Sequence, residues 1–188
     1  MDGLGILTAF GLSASAGLNA YIPLLVVALL AKFTHLIELS KPWDTLTSWW
    51  IIALLIVLSL IEFFADKVPA VNHMNDLIQT IIRPTAGAIL FAASAHVLTE
   101  VSPVLSVGAG LLIAGGVHAA KSLAIRPAVT AATGGLANIP VSIAEDLTST
   151  FVSILAVIVP VLIACILILI TAWIIWRMYR RSRAIPAR

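Results

Sequence analysis

The chain has 188 residues, 61% hydrophobic and 11% charged, with a formal net charge of +2 and a mean hydropathy of +1.09. A soluble domain carries about 25% charged residues, so a water-soluble enzyme or a nucleic-acid-binding module is excluded. The apolar stretches are continuous rather than alternating, which excludes a transmembrane β-barrel.

In chain order, charge-free runs lie between Asp2 and Lys32, Asp44 and Glu62, Arg83 and Glu100, Glu100 and Lys121, Arg126 and Glu145, and Asp146 and Arg177. A helix needs about 20 apolar residues to cross a bilayer, so six spans are predicted in a single integral membrane domain, residues 1–188. The opening MDGLG places an acid where a signal peptide is basic. The first run is also too long for a cleavable signal and is expected to be a retained span. The connection from Lys32 to Ser48, with Pro42, is expected as an outer loop. The segment Asp66–Arg83 places Val71, Met74, Leu77, Ile78 and Ile81 near helical spacing and predicts an interfacial amphipathic or re-entrant helix. The single cysteine, Cys165, falls in the last run, permits no intrachain disulfide and is expected to be inert.

With six crossings, Lys67, Arg83, Lys121, Arg126 and the tail arginines share one side, and Lys32 and Lys41 the other. The positive-inside rule then places both termini in the cytoplasm, and Trp43, Trp49, Trp50, Trp173, Trp176 and Tyr179 fit interfacial belts. Membrane lipids are therefore the expected surroundings, and the basic tail calls for no nucleic-acid partner.

Two segments match: SASAGLNAYIP (Ser13–Pro23) and TAATGGLANIP (Thr130–Pro140). Both combine small residues, which allow close helix approach, with Gly, Asn and Pro, which weaken a helix in lipid. Paired Gly/Pro-interrupted segments point to a solute site at a repeat interface. A second echo pairs Ile82-Arg83-Pro84 with Ile125-Arg126-Pro127, where proline suits a first helical turn.

The residues expected to carry function follow from cost. Charge within a bilayer is expensive and faces a cavity or a partner. Glu62 and Asp66, one turn apart, together with His73 and Asp76, are read as an ion- or proton-binding group, with an interfacial cluster as the plainer alternative. Arg83 and Arg126, each just before a helix start rich in N–H donors, are read with Lys121 as contacts for an anionic substrate or lipid headgroup, or as topology anchors. Asn19 and Asn138 are read as lining a polar path, or as interhelical hydrogen bonds. His96 and His118 are expected to be structural, with a proton-relay alternative for His118, and Glu145 and Asp146 to be solvated in an outer loop. No catalytic constellation or metal motif is present, so no enzyme activity, cofactor or metal is expected.

The stretches GLNAYIPLL (Gly17–Leu25), EFFADKVPAVNHMND (Glu62–Asp76) and IRPTAGA (Ile82–Ala88) resemble an uncharacterised family of small bacterial integral membrane proteins, the domain of unknown function 4126 family. The resemblance covers most of the chain and implies a polytopic bacterial inner-membrane protein, without supplying an activity. The sequence expectation is thus an all-α polytopic bundle acting as a small transporter or channel-like permease, with a homodimer as the candidate assembly. A lipid flippase or scramblase and a non-transporting scaffold are the alternatives.

Overall fold

The computed structural model describes residues 2–39, 41–67, 69–95 and 102–183. These residues are almost wholly helical: α1 (Asp2–Leu18), α2 (Tyr21–Phe33), α3 (Trp49–Ala65), α4 (Pro69–Ala95), α5 (Pro103–Ala120), α6 (Arg126–Thr133) and α7 (Asn138–Arg183). A short 3-10 turn spans Trp43–Thr47, and a π turn at Lys121–Ile125 joins α5 to α6. Met74–Ser94, Pro103–Thr133 and Asn138–Pro160 are long and apolar enough to cross a membrane, and Gly5–Leu18, Tyr21–Phe33 and Trp49–Ala65 are shorter apolar helices. Large apolar side chains such as Trp50, Leu112 and Leu123 point outward, as lipid-facing residues do.

The central rod is α1, and small residues let its neighbours close on it. Its Gly11 meets Ala156 of α7, where an added Cβ would lie 2.7 Å from the alanine Cβ. Its Gly17 meets Ala114 and Val117 of α5, where an added Cβ would lie 2.6 Å from the Ala114 carbonyl oxygen. Ser13 Oγ donates to the Gly87 carbonyl of α4 at 2.9 Å. Ser15 Oγ lies 2.9 Å from Ser149 Oγ and 2.7 Å from Ser153 Oγ of α7. Gly87 and Gly110 face each other where α4 and α5 cross. Dispersion and hydroxyl bonding replace a hydrophobic drive at such seams.

These contacts fix the direction of each rod. Residues 11 and 15 of α1, and Asn19 just past its end, meet 156, 149 and 146 of α7, so the pair is antiparallel. Gly17 and Leu18 meet Ala114 and Lys121, so α1 and α5 are parallel. Gly87 meets Gly110 and Asp76 meets Arg126, so α4 opposes the α5–α6 rod. Glu62 reaches Ala20 while Phe33 meets Trp49, so α2 opposes α3. The rods alternate along the chain, with α5, the π turn and α6 acting as one.

The predicted span between Asp2 and Lys32 is therefore two helices that reverse at Asn19–Ala20. Asn19 Oδ1 accepts from the N–H groups of Tyr21 and Ile22 at 3.1 and 3.0 Å, and Ala20 N–H donates to Glu62 Oε2 at 3.2 Å. Pro23, third in α2, sits where a helix has no N–H bond to lose. The predicted span between Arg126 and Glu145 is likewise no single crossing. It is a hairpin of α6 and the start of α7 around Gly134 (φ 60°) and Gly135 (φ 90°), a left-handed pair that favours glycine. Pro140 is third in α7, as Pro23 is in α2. Both matched segments are thus turns at the same end of the bundle. The connection between α2 and α3 lies at the opposite end, the end at which α1 starts. It was expected across the bundle from that start, and the α1–α2 reversal brings it back. A charge-free run cannot distinguish a rod from a hairpin whose tip satisfies its own N–H groups.

The amphipathic segment forms the first half of α4 and continues through Pro84 without a break. Arg83 therefore lies mid-helix and not at a helix start. Arg126 likewise continues helical backbone from the π turn. Neither arginine stands beside free N–H donors.

Candidate functional site

The helices carry nine charged side chains to one layer. Glu62 comes from the last turn of α3, Asp66 from its end, Arg83 from the middle of α4, and Lys121 from the end of α5. Arg126 opens α6, and Glu145 and Asp146 lie two turns into α7. Asn75, Gln79 and Arg83 recur every fourth residue, which sets them on one face of α4, and all three are buried.

Arg83 and Glu62 are wholly buried and paired at 2.8 Å. Arg83 Nε donates a second bond to Glu62 Oε1 at 3.2 Å. Arg83 Nη1 lies 3.1 Å from His118 Nδ1. Arginine can only donate, so Nδ1 accepts, and His118 is a neutral ring whose Nε2 faces Thr80 Oγ1 at 3.2 Å. Lys121 bonds Glu145 Oε2 at 2.8 Å and the Leu18 carbonyl at 2.9 Å, and approaches Asp66 at 3.7 Å. Arg126 Nη2 bonds Asp66 at 2.8 Å and Glu145 at 3.2 Å, while its Nη1 bonds Asp76 at 3.1 Å. Lys67 pairs with Asp146 at 3.4 Å, and Asn19 Nδ2 donates to Asp146 Oδ1 at 3.0 Å. Asn75 Nδ2 donates to Asp66 Oδ1 at 2.6 Å.

The sequence grouping of acids apart from bases is thereby replaced by one mixed network. Glu62 and Asp66 are locked by Arg83, Lys121 and Arg126, and those bases are held by carboxylates. Asn19 is 1% exposed and serves as a cap and an Asp146 partner. Its small-residue segment is a packing seam, because Ser13, Ser15 and Gly17 bond or touch neighbouring helices at van der Waals distance. Glu145 and Asp146, expected in a solvated loop, belong to the layer, because the α6–α7 hairpin folds them back beside Lys121 and Lys67. His118 is a structural acceptor for Arg83. The side chains of His73 and Cys165, and His96 altogether, lie outside the described residues.

Above this layer, between the α6–α7 hairpin and α4, opens a half-enclosed pocket of about 790 Å³. Its lining includes Asp76, Ser122, Arg126, Thr130 and Asn138, with Gly134 and Gly135 at the turn. Two of the residues expected to meet substrate, Arg126 and Asn138, thus line the same cavity as one of the expected ion-binding acids, Asp76. Asn138 Oδ1 accepts from Thr130 Oγ1 at 3.1 Å across the hairpin. Arg83 and Lys121 do not reach it. No group of three or more metal-ligating side chains is found among the described residues.

A family model described as Domain of unknown function (DUF4126) matches residues 6–181. The chain belongs to this family. No curated protein and no solved structure matches it. The match to this DUF4126 family spans both hairpin tips and every member of the ionic layer.

Missed by the sequence reading were Glu145 and Asp146 as network members and Thr130 as a pocket residue. The signal was available in part: two acids within a long apolar stretch otherwise free of charge are costly in lipid and demand partners.

Proposed function

We propose that the chain is a small multi-pass transporter or channel-like permease of a bacterial cytoplasmic membrane, with both termini cytoplasmic. The observation that carries the reading is the half-enclosed 790 Å³ pocket, of mixed polar and apolar lining, that shares Asp76 and Arg126 with the ionic layer. In this reading the pocket receives a small solute from one side. The layer is the seal beneath it, and breaking Arg126 pairs opens the way between the hairpins. Buried ion pairs contribute little net stability compared with apolar packing, so a layer this extensive is better explained by a cycle that makes and breaks its pairs. The orientation is supported by charge. The end bearing the chain termini carries Lys32, Lys41, Arg177 and Arg180, whereas most bases nearer the other end are withdrawn into the network.

An anionic solute finds less support than the sequence suggested, since Arg83, Lys121 and Arg126 are each engaged by carboxylates. A lipid-handling role draws on the apolar groove of about 350 Å³ between α2 and α4, lined by Tyr21, Leu24, Ile82, Thr85 and Ile89. That groove carries no basic group for a headgroup phosphate. The scaffold alternative rests on the tight seams around α1 but leaves the pocket unexplained.

The test is flux in proteoliposomes across a panel of anions, cations, neutral polar solutes and lipid-phosphate analogues, for the parent, Glu62→Gln and Asn138→Ala. Flux of a soluble member that falls in Asn138→Ala and changes in Glu62→Gln supports the permease. Lipid exchange alone favours the flippase reading. Absence of flux for every member overturns transport.

A further inference from the structure

The connected core of the network holds four carboxylates, Glu62, Asp66, Asp76 and Glu145, against three cations, Arg83, Lys121 and Arg126. His118 supplies no charge, because it accepts from Arg83. The satellite pair of Lys67 and Asp146 is balanced within itself. With every carboxylate counted as ionised, the layer is therefore one positive charge short among the described residues, in buried surroundings where uncompensated charge is costly.

Access selects where that charge enters. Glu62 and Asp66 side chains are 0% and 2% exposed, and Glu145 is 10% exposed, whereas Asp76 is 22% exposed and faces the pocket. Arg126 meets Asp76 through Nη1 alone and holds Asp66 and Glu145 through Nη2. A cation arriving at Asp76 can displace Nη1 without detaching Arg126 from the layer. The rest of the lining, Ser122, Thr130 and Asn138, offers hydroxyl and amide groups to a polar body. Among the described residues no group of three or more metal-ligating side chains is found there, and the volume far exceeds that of an alkali ion.

We infer that this pocket binds a small organic cation, a primary or methylated ammonium group paired with the Asp76 carboxylate and carrying a hydrogen-bonding tail toward Thr130 and Asn138. The inference deepens the permease reading and uses the same pocket, but binding stands or falls apart from flux. Bound there, the ammonium supplies the missing positive charge and loosens one of the contacts by which Arg126 ties α6 to α4.

The test is calorimetric titration of the detergent-purified full chain, at constant ionic strength, with methylammonium, tetramethylammonium, ethanolamine, sodium, potassium, acetate and phosphate. Saturable binding of an ammonium compound is expected, weakened at least tenfold in Asp76→Asn. Ala131→Phe fills the pocket without touching an ion pair, so it should abolish binding even where Asp76→Asn folds poorly. Binding of alkali ions alone, of anions, or of nothing in the panel overturns the inference, as does ammonium binding unchanged in both variants. Ammonium binding without vesicle flux keeps the site and removes the permease. Flux of an anion or neutral solute without ammonium binding removes the site and keeps the permease.

Discussion

Removing Arg83 isolates Glu62 in the least accessible part of the molecule. Both side chains are fully buried, joined by bonds of 2.8 and 3.2 Å, and Arg83 also supports His118 at 3.1 Å. Among the described residues, Glu62 then keeps the Ala20 N–H alone, at 3.2 Å on Oε2. Breaking one partner of a buried pair costs about 3–5 kcal/mol, because the other charge stays uncompensated, whereas replacing both with apolar groups is often neutral. For a chain of this size, 1 kcal/mol moves the melting midpoint by about 2–4 °C, so Arg83→Met should lower it by roughly 6–20 °C. The double variant Glu62→Leu/Arg83→Met should recover most of that loss. The assay is intrinsic tryptophan fluorescence during thermal unfolding in detergent, followed by size-exclusion chromatography. An Arg83→Met midpoint within 2 °C of the parent, or a double variant no better than the single, refutes the claim that a desolvated pair joins α3 to α4.

The glycine seams separate contact from open space. Gly87→Ala and Gly17→Ala should destabilise by about 1–3 kcal/mol through overpacking, whereas Gly116→Ala, which meets nothing within 4 Å, should be neutral or slightly stabilising in the same melt. Gly134→Ala should cost about 1–2 kcal/mol, because its φ of 60° is disfavoured for an L side chain, and Gly108→Ala provides the unstrained control. The α1–α2 reversal predicts sidedness. In a Cys165→Ser background, Lys41→Cys should label from the face where a C-terminal reporter is active and Leu136→Cys from the opposite face. Labelling of the two cysteines from one face would dismantle the hairpin assignment. Asn19→Ala should lower stability by about 1–2 kcal/mol, since the helix start loses its cap and Asp146 loses a donor; an unchanged midpoint would show that water substitutes for the amide.

The residues by themselves determined that the chain is helical and apolar enough for a membrane, which of its charges are expensive, and where the helices weaken. Hydropathy and cost are local properties, so Glu62, Asp66, Asp76, Arg126 and Asn138 could be singled out from composition and spacing alone. The sense of the weak points could not. Asn19–Pro23 and Gly134–Pro140 read as interruptions of straight crossings, and only packing made them reversals, because a turn is affordable where Glu62 or a glycine pair satisfies it. Reversal then decided which charges meet. Folding α7 back beside α5 brings Glu145 to Lys121 across 24 residues of chain, a pairing no periodicity announces. Charge compensation is a property of neighbours in space, so the ionic layer, its balance of charge among the described residues and the pocket above it belong to the tertiary structure.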